Sequence, residues 1–106
     1  MFDYSKIPVG GMVEGMRNYM EHGIPAGSFM MALLENDFCK ICQYADDANR
    51  VALFQWARWL WNEAPMASYG SPAKVEKWMA ARRAERNAAA KDAADGAPAL
   101  STRLGQ

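Results

Sequence analysis

The stretch from Asn49 to Glu63 constrains this chain more than any other. Val51, Leu53, Phe54, Trp56, Ala57, Leu60 and Trp61 recur at helical spacing and cover most of a helix circumference. The polar strip left over is narrow: Arg50, Arg58 and Asn62, with Gln55 at its edge. Asp46 or Asp47 is placed to cap this helix, and Pro65 ends it. A helix so apolar must be packed against others on several sides, so it is expected at the centre of the fold.

Turn chemistry divides the remaining sequence into short helices. Met12, Val13, Met16, Tyr19 and Met20 predict a first helix over 12–22, with Gly15 inside it and a stop at Gly23 followed by Pro25. Ser28 is expected to cap a second helix to about Glu35, apolar on all sides and therefore buried. Asp37 is expected to cap a third through Phe38, Cys39, Ile41, Cys42 and Tyr44. After a Pro65–Gly70 loop, Ser71 followed by Pro72 is a strong start for a fifth helix through Val75, Trp78 and Met79. Large apolar residues stop there, and Ala80–Ala94 is rich in Ala, Arg and Lys. No strand pattern and no internal repeat is visible.

The fold class expected is all-α: a compact bundle of four or five short helices around a central helix, with a flexible C-terminal tail. Its parts are an irregular leader over 1–10, a helical domain over 11–82, and a basic, Ala-rich helical extension and flexible tail over 83–106. At 106 residues this is one domain, large enough to bury a core without disulfides or metal. The 12 basic and 12 acidic side chains cancel, which argues against bulk nucleic acid or an anionic membrane as the partner. The balance hides an asymmetry: residues 1–64 carry five basic and eight acidic groups, residues 65–106 seven and four. No signal-peptide pattern opens the chain, and the Phe29–Leu34 run is too short to span a bilayer. A cytoplasmic location is the expectation.

No catalytic or metal site can be assembled from these residues. Cys39 and Cys42 are spaced as a redox dithiol or half a zinc site, but no second pair and no preceding strand accompany them. They are expected to pack as small apolar groups on one helix face. His22 is read as a favourable charge at a helix C-terminus. Asp46, Asp47 and Asn49 lack the oxygen ligands and closing Glu of a calcium loop, and are read as caps. No cofactor is implied and an enzyme is not expected.

What remains is surface for binding. Three Trp stand within six residues, and Trp61 lies roughly 140° from Trp56 at 100° per residue, so they cannot share one face. Trp59, beside the polar strip, is expected to be partly exposed. With Tyr69, Met66, Arg58 and Asn62 it forms the expected partner-binding site, for another protein or for self-association into a homo-oligomer. A second reading assigns nucleic-acid binding to Lys74, Lys77, Arg82, Arg83 and Arg86, although Glu76 and Glu85 interrupt that stripe. A third assigns a nucleotide signal to Arg50, Arg58 and Tyr69.

Five short blocks also carry a resemblance. They are Ile24-Pro25-Ala26-Gly27-Ser28-Phe29, Leu33-Leu34-Glu35-Asn36-Asp37, Ala45-Asp46-Asp47-Ala48-Asn49-Arg50, Asn62-Glu63-Ala64-Pro65 and Gly70-Ser71-Pro72-Ala73-Lys74-Val75-Glu76-Lys77-Trp78. In order and spacing, over about residues 13–80, the chain resembles small proteins encoded by tailed phages and prophages of Gram-negative bacteria. Those proteins tend to have a Cys-Trp pair where Ser68-Tyr69 stand here, so no thiol chemistry is carried over. The resemblance is one of fold, and it transfers no catalytic residue. With the surplus aromatic and Met surface and the lack of catalytic constellations, and by analogy with other small accessory phage proteins, the expectation is an accessory phage protein in the host cytoplasm that binds a host or phage protein, with inhibition of a host enzyme or an anti-phage defence system as its effect.

Overall fold

A computed structural model describes residues 3–103, with side chains described to Ala93. Among these residues there are six α-helices and no strand: α1 Val13–His22, α2 Ser28–Glu35, α3 Phe38–Tyr44, α4 Asp47–Val51, α5 Leu53–Glu63 and α6 Pro72–Arg103. Tyr4–Lys6, Gly10–Met12 and Met66–Ser68 form single 3-10 turns. The expectation of a flexible tail falls on residues whose side chains lie outside the described range.

The local signals act where they stand. Gly23 ends α1 at φ 67°, and its N–H and that of Ile24 satisfy the Tyr19 and Asn18 carbonyls. Asp37 caps α3 by accepting from the Lys40 N–H, and Asp46 caps α4 by accepting from the Asn49 N–H. The Ser71 hydroxyl accepts from the Lys74 N–H ahead of Val75. Ser28 is a correction: the N-cap of α2 is Gly27, extended at φ −68° and ψ 172°, and Ser28 is the first helical residue. With no side chain, Gly27 offers the first turn no capping bond.

The core lies between α1, α2, α5 and the first turns of α6. In α2, Phe29, Met30, Ala32, Leu33 and Leu34 are buried, as its all-round apolar sequence requires. Only one face of α5 is buried, through Trp56, Trp59 and Leu60, so α2 rather than α5 is the most enclosed helix. The expected single helix to Glu63 is also broken. Ala52, at φ −100° and ψ 9°, separates α4 from α5, and its N–H turns back to the Asn49 carbonyl three residues away at 3.2 Å. The buried Asn49 side chain then accepts from the Trp56 indole N–H at 2.9 Å. A buried indole N–H without an acceptor is costly, about 1–3 kcal/mol.

The described part of the leader, from Asp3 to Ile7, is tied down. Ile7 is buried, the Asp3 N–H donates to Glu63 Oε1 at 3.1 Å, and Tyr4 stacks on Trp59 with centroids 6.3 Å apart. Against the other side of the core, α1 and α6 meet at Gly23. A Cβ at that position would stand 2.5 Å from the Met79 carbonyl oxygen and 2.8 Å from Arg82 Cβ.

Candidate functional site

Helix α5 carries three longitudinal strips. At about 100° per residue, Trp56, Trp59 and Leu60 face the core, Gln55, Arg58 and Asn62 form the polar strip, and Phe54, Ala57 and Trp61 form a second apolar strip. The two large rings of that second strip are in water: Phe54 is 70% exposed and Trp61 is 77% exposed. Trp59 is only 3% exposed, against the expectation that it would be the accessible indole. Trp59 and Trp61 flank the polar strip on opposite sides, so its border alone cannot decide between them. The 3–9 segment decides, by lying over the Trp59 edge and accepting the indole N–H on the Asp3 carbonyl at 2.9 Å.

The exposed strip forms one wall of a groove of about 460 Å³. Phe38 and Ile41 of α3, Leu33 of α2, and Tyr69 and Gly70 line it with Phe54 and Trp61. The lining holds no charged side chain. The loop carrying Tyr69 and Gly70 is held by hydrogen bonds: the Gly70 N–H donates to the Leu34 carbonyl at 2.8 Å, and the Tyr19 hydroxyl donates to the Ser68 carbonyl at 2.7 Å. Burial raises the Tyr19 pKa, and the nearby Glu35 carboxylate raises it further. The neutral phenol is thus the form that anchors the loop. Gly70 sits at φ 125°, a conformation that suits glycine.

The residues expected to form one partner site are split. Tyr69, half-buried, lines the apolar groove. Met66 is 73% exposed on its 3-10 turn. Trp59, Arg58 and Asn62 stay together in a separate polar cleft of about 340 Å³ completed by Lys6, Gln55 and Glu63, where Lys6 approaches Glu63 at 3.7 Å. Phe38, Phe54 and Trp61 were not expected in the site. The seven-residue interval between Phe54 and Trp61 was the signal that places both on one helix edge.

The basic residues of α6 do not form one face. At about 100° per residue, Lys74, Lys77, Arg82, Arg83 and Arg86 spread over some 240° of the helix. Three of them also serve the fold. Arg82 lies over the Trp78 ring at 4.6 Å and bonds Glu85 at 2.6 Å, Arg86 donates to the His22 carbonyl, and Lys74 donates to the Met66 carbonyl. Nor do Arg50, Arg58 and Tyr69 share a cavity: Arg50 pairs with Asp47 on α4, Arg58 lines the cleft and Tyr69 the groove.

Cys39 and Cys42 are free and exposed, a correction to the expectation that they pack inward. In α3 only Ile41 is buried, because α3 is short and the i, i+3 pair falls on its outer side. Among the described residues, no three His, Cys, Asp or Glu side chains are grouped to hold a metal ion, and no helix is long and apolar enough to cross a membrane.

No protein-family model, curated protein or solved structure matches this chain.

Proposed function

We propose that the chain acts by binding a protein through the apolar face of α3, α5 and the Pro65–Ser71 loop, and that it does no chemistry of its own. One observation carries this reading: Phe38, Phe54 and Trp61, each at least 70% exposed, surround a groove whose lining has no charge. Aromatic side chains grouped in water cost solvation free energy that association recovers, and such rings are enriched at the centres of protein interfaces. The loop beside them is held by the Gly70 N–H to Leu34 carbonyl and Tyr19 hydroxyl to Ser68 carbonyl bonds, which supports the same reading because a pre-formed surface loses less ordering entropy on docking.

The resemblance to small phage proteins makes a host or phage protein the expected partner, a further copy of this chain included. Inhibition of a host enzyme or of an anti-phage defence system, in the host cytoplasm, is the expected consequence. The test is capture by tagged protein from a bacterial host that also expresses an untagged copy. Wild type should retain a defined partner that Phe54→Glu and Trp61→Glu both lose while keeping their helical circular dichroism. Equal recovery by all three would refute the reading.

A further inference from the structure

We infer that Cys39 and Cys42 form a two-thiolate site for one soft monovalent cation of the copper(I) class. Neither thiol lines the apolar groove, so the site stands apart from the protein-binding reading.

Exposure is the first observation. Free cysteine is among the most buried residue types and ordinarily packs as a small apolar group. Here both cysteines of the chain are free, and both are exposed on α3, whose one buried residue is Ile41. Packing therefore gives neither thiol a role, and both are open to reagents in solution.

Helix geometry fixes what the pair can hold. Three residues at ~100° and ~1.5 Å each put the two side chains about 60° apart and ~4.5 Å along the axis, on one face. The helix is regular at this point: the Ile41 N–H donates to the Asp37 carbonyl at 2.8 Å, and the Ala45 N–H donates to the Ile41 carbonyl at 3.0 Å. Cβ atoms at this spacing stand ~5–6 Å apart. A relaxed disulfide needs ~3.5–4.5 Å, so the intact helix holds the thiols too far apart to join directly. An ion between them removes that constraint, because two metal–sulfur bonds of ~2.3 Å let the sulfurs stand up to ~4.6 Å from each other.

The donor set selects the ion. Thiolates are soft ligands, and copper(I) is among the cations they favour. Calcium and magnesium take oxygen ligands. A structural zinc site takes four ligands, and among the described residues no third His, Cys, Asp or Glu is grouped with the pair. An ion that two sulfurs satisfy is the one that fits. Loading involves no oxidation or reduction: two S–H bonds break, two sulfur–copper bonds form, two protons pass to water, and copper enters and stays as copper(I).

The test is an anaerobic titration of the reduced full chain with copper(I) in competition with a chromogenic copper(I) chelator. The chain should take one ion from the chelator, with a thiolate-to-copper charge-transfer band, release of two protons and no change of mass beyond the ion. Cys39→Ser and Cys42→Ser should each weaken binding by ~10²–10⁴-fold, the advantage of an intramolecular second contact. Both variants should keep their circular dichroism, since both side chains are exposed. Failure of the wild type to compete, or a serine variant that binds as well as wild type, overturns the inference. One ion per two chains overturns it too, because the ion then bridges copies instead of being held by one helix. Zinc(II) bound as tightly as copper(I) overturns the assignment to a two-coordinate ion.

Discussion

Replacing Gly23 by Ala tests the packing that carries the site. Gly23 lies at φ 67° and ψ 26°, where an L side chain costs about 1–2 kcal/mol. The new Cβ would also meet the Met79 carbonyl oxygen at 2.5 Å, Arg82 Cβ at 2.8 Å and Met79 Cα at 3.1 Å. Two of these three atoms are backbone, so α6 itself must move away from α1, and overpacking of this kind costs about 1–3 kcal/mol. Together the two effects predict a loss of about 3 kcal/mol, which at ~4–8 °C per kcal/mol for a domain of this size lowers the melting temperature by about 15 °C. Gly15→Ala is the matched control. Gly15 lies inside α1, a Cβ there meets nothing within 4 Å, and helix propensity predicts a gain of about 0.5–1 kcal/mol. Calorimetric melting of both variants should therefore move in opposite directions. A Gly23→Ala protein within about 1 kcal/mol of wild type would refute the close α1–α6 approach.

Three further outcomes follow. In urea titrations at low protein concentration, Trp59→Ala should cost about 3–5 kcal/mol and Trp61→Ala under ~1 kcal/mol, and equal losses would contradict the opposite burial of the two indoles. Asn49→Ala should cost about 2–3 kcal/mol in the same assay, because the buried Trp56 N–H loses its acceptor; a neutral variant would contradict a buried Asn49–Trp56 bond. The Tyr19 phenol has a raised pKa, so its contribution is fully present below the ordinary value near 10 and is lost as pH rises above it. Stability should fall by about 1.4 kcal/mol per pH unit more steeply above pH ~10 in wild type than in Tyr19→Phe, as read from urea midpoints against pH, and parallel alkaline limbs would contradict the assignment.

What could be read from the sequence was decided within a few residues. Asp37, Asp46, Gly23 and Ser71-Pro72 each cap or stop a helix through a bond to a near neighbour, so their positions were visible. The all-round apolar composition of α2 announced its burial. What failed depended on distant contacts. Whether Trp59 or Trp61 faces water is settled by Asp3 and Tyr4, more than fifty residues away, which no periodicity within α5 can reveal. The interruption at Ala52 goes with a side-chain bond between Asn49 and Trp56 that runs across the two helices, a pairing that apolar periodicity does not register. The thiols of Cys39 and Cys42 point outward because α3 is too short to bury more than Ile41. The candidate site was legible in kind, as surplus aromatic surface on one helix. The exposed indole was expected at Trp59, which is buried, and stands instead at Trp61 on the other side of the polar strip.

The central claim is that association uses the Phe54–Trp61 edge of α5 and leaves the Trp59 edge untouched. Indole N–H resonances in a two-dimensional nitrogen–proton spectrum report both edges at once. The indoles of Trp56, Trp59 and Trp78 are held by the Asn49 side chain and the Asp3 and Tyr19 carbonyls, whereas Trp61 is 77% exposed. On raising the concentration or adding the captured partner, the Trp61 resonance should move and the Trp59 resonance should stay in place. Movement of Trp59 with Trp61 unmoved would contradict the account.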